Sequence, residues 1–262
     1  MRISYVTASR IGEPSGFSGE TDWERLHDRM AQETTPETFR RVARAVKALG
    51  FEGIEIYTGH CDYSLRAPDY SRSIRQVCDV EGLEIVAYAG GMGLPDGSRE
   101  ALQRTFDACE ALGAPVMAGG LAPGADWDEV AELLRERGLV FAYENHPESS
   151  ADEVLEKISG REDVIKACLD TGNLTAAGGD AREAAEALLG HLAHVHLKDV
   201  PGPGRHDCRA LGEGAAKVEE TVRFLAESGY EGWASIEHET FDRDPDGEIE
   251  LSLGRVREWL GA

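Results

Sequence analysis

Four acidic or imidazole side chains stand at matching places in the second half of the chain. They are Glu144 in VFAYENHPES, Asp170 in IKACLDTGN, His196 in HVHLKD and Glu237 in WASIEHE. Each sits at or near the end of a short apolar run that reads as a buried strand. Three carboxylates brought together would repel and resist ionisation unless a cation compensates them. Oxygen ligands with one imidazole suit Mn²⁺ first, then Mg²⁺ or Co²⁺, with Zn²⁺ also within reach. The constellation therefore calls for one divalent metal ion.

Strand alternation sets the directions. Ala142, Glu144 and His146 share one face, opposite Phe141 and Tyr143. Ser235 and Glu237 oppose Ala234 and Ile236, and His194, His196 and Lys198 oppose Val195 and Leu197. The apolar partners pack under helices, so the polar set points inward. A lone carboxylate at a strand end is ordinarily a cap or an ion-pair partner, and a lone histidine a satisfied polar residue. The conjunction on four successive strands is what points to a metal.

The elements that position these residues repeat. Helical segments end in glycine and pass at once into an apolar run, at Gly50, Gly82, Gly113, Gly138 and Gly229. Each reads as a left-handed glycine that stops a helix and starts a strand. Eight strands are predicted near residues 2–7, 53–57, 83–88, 115–118, 139–144, 165–169, 193–198 and 233–237. The helical partners are 36–49, 69–80, 98–112, 126–137, 151–159, 180–190, 215–228 and 249–260. Eight βα pairs in one chain predict an α/β fold, a single (β/α)8 TIM barrel over residues 1–262 with its site at the C-terminal face. A doubly wound sheet is the alternative, but no GxGxxG follows the first strand. The long connections, residues 8–35, 199–214 and 238–248, all fall at that face.

Composition narrows the partners. A net charge of −22 repels nucleic acid and anionic membrane surfaces. No apolar run is long enough to cross a membrane, and MRISYVTASR lacks a signal-peptide core, so a cytoplasmic protein is expected. The five cysteines include no CxxC pair, which suits a reducing compartment and small core residues. Only five basic residues are lysines, consistent with a high-salt cytoplasm or a GC-rich genome. In the loop PGPGRHDCRALGEG, Arg205 and Arg209 either bind an anionic group or belong to a mobile, solvated loop. Glu13, Phe17 and Trp23 lie in the long first loop, a candidate lid with an aromatic wall.

FEGIEIY, ENH, CLDTGN, HVHLKD followed by LGEG, and SIEHE together resemble the xylose isomerase-like barrel superfamily, the sugar phosphate isomerase/epimerase group, over essentially the whole chain. Its relatives include ketose 3-epimerases, hydroxypyruvate isomerase, inosose dehydratase and, more distantly, endonuclease IV. The resemblance implies that Glu144, Asp170, His196 and Glu237 are the metal ligands. It implies a small-molecule carbohydrate substrate, and a homodimer or homotetramer, as relatives often are. His146 corresponds to a polar residue placed against substrate. Asn173 stands where many relatives have histidine, so it can hydrogen-bond a hydroxyl but cannot carry a proton. His194, Arg205 and Glu55 complete the expected substrate-facing set.

The chemistry so implied is proton transfer next to a carbonyl, through an enediolate that the metal stabilises. Glu144 and Glu237 would take and return the proton, to the opposite face in an epimerase or to the adjacent carbon in an isomerase. Lys198 either stabilises charge or acts as an acid, or it pairs with an inward carboxylate such as Glu55. With β-elimination after proton removal, the same parts make a dehydratase. A nuclease like endonuclease IV would need several more histidines than this chain has. A binding barrel without turnover is disfavoured by four intact ligand positions.

Overall fold

The computed structural model describes residues 1–66, 68–91 and 98–261. Its eight strands are β1 (Arg2–Val6), β2 (Gly53–Tyr57), β3 (Glu84–Ala89), β4 (Met117–Gly119), β5 (Phe141–Glu144), β6 (Ile165–Asp170), β7 (Leu192–Leu197) and β8 (Trp233–Ile236). All pair in parallel and in chain order, and β8 returns to β1, so the sheet closes into a barrel. The doubly wound alternative is excluded. The helices are α1 (Trp23–Glu33), α2 (Pro36–Ala48), α3 (Pro68–Glu81), α4 (Arg99–Leu112), α5 (Trp127–Arg137), α6 (Ala151–Ile158), α7 (Thr171–Ala176), α8 (Ala181–Leu188), α9 (Val218–Glu227) and α10 (Asp246–Trp259). The five helix-stopping glycines all have positive φ, between 68° and 93°.

Two helices were not expected. Residues 8–35 are not one loop: Asp22 caps α1, its side chain accepting from the Arg25 N–H. Asp170 likewise caps the short α7 through the Asn173 N–H. The α1 segment does carry a helical pattern, with Leu26, Met30 and Ala31 buried behind the Asp22 cap, whereas α7 is only six residues long and buried throughout, too short to show a period.

The alternation holds along the wall. Ile54, Ile56, Phe141, Tyr143, Leu169, Val195, Leu197, Ala234 and Ile236 join the apolar layer between barrel and helices. Inside, a small cluster of Ala118, Ala142 and Cys168, with Ala193 against it, fills the lower barrel. Ser4 and Ser235 hydrogen-bond across the same interior at 2.8 Å. These short side chains leave volume above them for imidazoles and carboxylates. A register shift between β6 and β7 lets Ala167 pair with Leu192 but Cys168 with His194, so that Asp170 lies beside His196. Without that bulge Asp170 would face Val195 in register, and the inward sets would fall out of step.

The β7–α9 loop hangs on one buried side chain. The Asp199 carboxylate accepts backbone N–H groups from Gly212 (2.8 Å), Gly214 (2.9 Å), Ala216 (3.0 Å) and Val200 (3.0 Å). A Cβ on Gly214 would come within 2.3 Å of Asp199 Oδ1. The spacing of HVHLKD and LGEG is thus a tether. Asp199→Ala removes the shared acceptor and is expected to cost roughly 3 kcal/mol in urea unfolding, the scale of several buried donors left unsatisfied. The same variant should open the loop to limited proteolysis.

Candidate metal centre

The barrel brings Glu144, Asp170, His196 and Glu237 together. One donor atom from each lies within 4.8 Å of all the others, and all four residues are buried. Glu144 and Asp170 are the last residues of β5 and β6, His196 is on β7, and Glu237 follows β8 directly. His196 Nδ1 lies 3.2 Å from Glu144 Oε1 and 3.4 Å from Glu237 Oε2. Two carboxylate oxygens, Asp170 Oδ2 and Glu237 Oε2, are buried and accept no hydrogen bond. Orphaned buried acceptors at one focus are what a cation would complete, and the donor set of three carboxylates and one imidazole fits a hard divalent ion.

Supporting residues hold this set in place. Asn145, where β5 has already ended, accepts from the Asp170 N–H and donates to the Asp170 carbonyl, both at 2.9 Å. Its side-chain amide continues the β5–β6 ladder and fixes the height of Asp170. The Asp170 Oδ1 accepts from the Asn173 N–H at 2.7 Å, which leaves Oδ2 free to face the cluster. Asn173 Nδ2 donates to Glu144 Oε1 at 3.3 Å. Gly172 has no Cβ because the Lys198 stem occupies that space, 2.6 Å from where one would be.

Lys198 does not pair with Glu55. Its Nζ donates to Glu239 Oε2 at 2.6 Å and lies 3.6 Å from Glu237 Oε2 and 3.8 Å from Asp170 Oδ2. Glu55 sits lower in the barrel, its oxygens on His194 Nε2 (2.8 Å) and His196 Nε2 (3.1 Å). Two residues along a strand is a rise of about 6–7 Å, so Lys198 emerges above the level Glu55 serves. Glu239 went unnoticed in the sequence, although it stands two residues after Glu237 in SIEHE. The other expected substrate-facing residues scatter. His146 stays beside Glu144, its Nε2 at 3.9 Å, with a side chain more than half exposed. Arg205 is exposed and bonds Asp207 at 3.0 Å, and no hydrogen bond ties it to the cluster. Trp23, on α1, donates to the Tyr57 hydroxyl at 2.9 Å and packs edge-on to Tyr57 and Phe241. Glu13 turns to Arg10.

The acids are tuned apart. Burial would raise Glu144, but the positive charges of His146 and His196 outweigh it and hold the carboxyl down to about 2. Burial pushes Glu237 up to about 7, with Asp170 and Glu144 adding to it against Lys198 and His196. Burial also raises Glu239 to about 7 and raises Asp170. Burial works against charge on Lys198 too, but Glu237, Glu239 and Asp170 keep its ammonium protonated well above the usual range.

The model of the xylose isomerase-like TIM barrel family matches residues 43–260. The chain belongs to that family. An inosose dehydratase of Erwinia tasmaniensis is 23% identical over 81% of this chain and 86% of its own length. Against other curated inosose dehydratases the alignment spans about half of the relative, 44%, 52% and 47%. Among solved structures, D-psicose 3-epimerase of Clostridium cellulolyticum with D-tagatose superposes at a TM-score of 0.66, with 16% identity over 99% of each chain. A xylose isomerase-like barrel protein of Mycobacterium smegmatis in complex with magnesium reaches 0.70, with 16% identity over 99% of this chain and 96% of that one. The two structural likenesses concern the fold. Among the described residues, no helix is long and apolar enough to cross a membrane.

The raised Asp170 carboxyl has a consequence for metal-free protein. A carboxyl whose folded pKa exceeds its ordinary 3.8 costs stability once pH rises above that value. Asp170→Asn keeps the cap and removes the charge. It should raise the thermal midpoint of chelator-treated protein at pH 8, with the gain shrinking to nothing by about pH 3, where the wild-type carboxyl is protonated in both states. An equal or lower midpoint at pH 8 would count against the repulsive cluster.

Proposed function

We propose that the chain is a divalent-metal-dependent isomerase or epimerase of a small sugar, keto-sugar or related polyol. The observation that carries this reading is the four-residue cluster, two of whose buried carboxylate oxygens accept no hydrogen bond. Glu144, Asp170, His196 and Glu237 would hold one ion, Mn²⁺ first, with Mg²⁺, Co²⁺ and Zn²⁺ as the other candidates. When bound, the ion would polarise the substrate's carbonyl and neighbouring hydroxyl and stabilise the negative charge left when the α-proton departs.

The chain's own residues divide the proton work. Glu144 and Glu237, both within 3.4 Å of His196 Nδ1, are assigned as the acceptor and the donor. Glu144 takes the α-proton. Glu237 returns one to the opposite face in an epimerase, or to the adjacent carbon in an isomerase. Lys198, steadied by Glu239, offers a fixed positive charge to a substrate oxygen. His146 and Asn173 flank Glu144 and would meet substrate hydroxyls. Asn173 orients without transferring a proton.

A dehydratase of the inosose dehydratase type is the second reading. It is favoured by the Lys198–Glu239 pair beside Glu237, in which the ammonium would stabilise a departing hydroxide by its charge and Glu239, raised to about 7, could supply the proton. Only that reaction gains a conjugated, absorbing product.

Elemental analysis after purification without added metal, and again after soaking in Mn²⁺, tests the reading. About one ion per chain is expected in the wild type, with clear loss in Asp170→Ala. Ketoses are then screened for deuterium uptake from solvent, and Glu144→Gln and Glu237→Gln should each lower kcat by roughly 10²- to 10⁴-fold. No tight metal in either protein, even after soaking, would sink the reading. Protons on Glu237 and His196 compete with the ion, so Mn²⁺ affinity should fall about tenfold or more per pH unit below 7.

A further inference from the structure

His196 shows its two ring nitrogens to different neighbours. Nδ1 faces Glu144 Oε1 at 3.2 Å and Glu237 Oε2 at 3.4 Å, inside the cluster. Nε2 lies 3.1 Å from Glu55 Oε1, on the other side of the ring. Glu55 is fully buried on β2. Its second oxygen meets His194 Nε2 at 2.8 Å, and that same nitrogen lies 3.1 Å from Ser235 Oγ. A carboxylate only accepts, so both imidazoles present N–H to Glu55, while His196 turns its other N–H to Glu144, and it is this Nδ1 hydrogen that a cation would displace. We infer that Glu55 is a positioning residue that pins the Nε2 hydrogen of His196 and so makes Nδ1 the metal-ligating atom.

A neutral imidazole has one N–H and one lone pair. With the hydrogen fixed at Nε2, the lone pair stands at Nδ1 and points at the three carboxylates. In the opposite tautomer an N–H would point there and exclude a cation. A carboxylate on the far nitrogen also makes the ligating nitrogen more basic. His194 takes the other Glu55 oxygen and keeps the carboxylate from turning away from His196.

Glu55, His194 and His196 could themselves surround an ion, their donor atoms also lying within 4.8 Å of one another. Their contacts are already those of hydrogen bonds at 2.8 and 3.1 Å. No Glu55 oxygen is among the buried atoms without a partner, whereas Asp170 Oδ2 and Glu237 Oε2 are. The protonated pairing therefore describes Glu55, and the orphaned oxygens lie above it.

The inference rests on the proposed metal reading, and the experiment separates the two. Protein labelled with ¹⁵N-histidine and loaded with diamagnetic Zn²⁺ is examined by long-range ¹H–¹⁵N correlation, His196 being assigned by its loss in His196→Gln. A protonated Nε2 and a metal-shifted Nδ1 are expected. Ligation through Nε2 overturns the inference. Mn²⁺ titration followed by electron paramagnetic resonance should show affinity roughly 10- to 100-fold weaker in Glu55→Gln, whose amide can accept from only one of the two histidines. Unchanged affinity in folded Glu55→Gln overturns it as well. So do two Mn²⁺ per wild-type chain falling to one in the variant, which would make Glu55 a ligand. If Glu55→Gln does not fold, the wild-type spectrum decides alone. A wild type that binds no Mn²⁺ removes the metal reading itself and this inference with it.

Discussion

Carboxylates that would spread apart in water are forced to share the mouth of this barrel. Glu144, Asp170 and Glu237 converge there, with Glu239 beside them and Glu55 just beneath. Burial makes each charge expensive, and proximity makes each neighbour worse. Much of the surrounding structure answers that constraint. His196 is set between Glu55 and the upper acids, and Lys198 reaches over to Glu239, Glu237 and Asp170. The lower barrel is packed with alanine, serine and cysteine, so the long polar side chains have room above. Asn145 holds the Asp170 backbone in place, and the missing side chain of Gly172 leaves room for the lysine stem.

Charge alone does not choose chemistry, and the division between the two glutamates does more. They are the same residue type at the ends of strands separated by β6 and β7. Glu144 has His146 and His196 beside it and stays ionised. Glu237 lies closer to the crowd of acids and holds its proton near neutrality. Without an ion, one environment favours the ionised carboxyl and the other the protonated one. A histidine at 173 would be a third imidazole beside Glu144 and could carry a proton itself. The asparagine found here leaves the glutamates as the proposed carriers.

The barrel was legible because its signals are redundant. Helix-stopping glycines, apolar runs and inward polar residues all gave the same eight strands, and the residues of IKACLD and FAYE face as alternation requires. The candidate cluster was legible for a related reason, since ligand-type residues at equivalent strand ends meet once the strands close. What escaped notice depends on height and on side-chain hydrogen bonds. Lys198 and Glu55 share an inward direction, but one stands above His196 and the other below, and a strand pattern says nothing of reach. Asn145 reads as a loop residue in ENH, yet it stands in for a missing peptide unit. The tether from Asp199 spans up to 17 residues and shows no periodicity. The short α7 hides behind a cap that doubles as a candidate ligand.

The cations near the mouth bear on the kind of substrate. A sugar phosphate would need a free guanidinium, a free ammonium or a cradle of backbone N–H groups. Arg205 and Arg209 both bond Asp207, and Lys198 is held by Glu239. The backbone N–H groups of Gly212 and Gly214 turn to the Asp199 carboxylate. With a net charge of −22 around it, the protein's field draws in divalent cations and opposes anions. The proposed keto-sugar or polyol would be gripped there through hydroxyls and a carbonyl. Anion recognition would require Arg205 to leave Asp207 and turn inward, at the cost of a two-point ion pair that the substrate would have to replace.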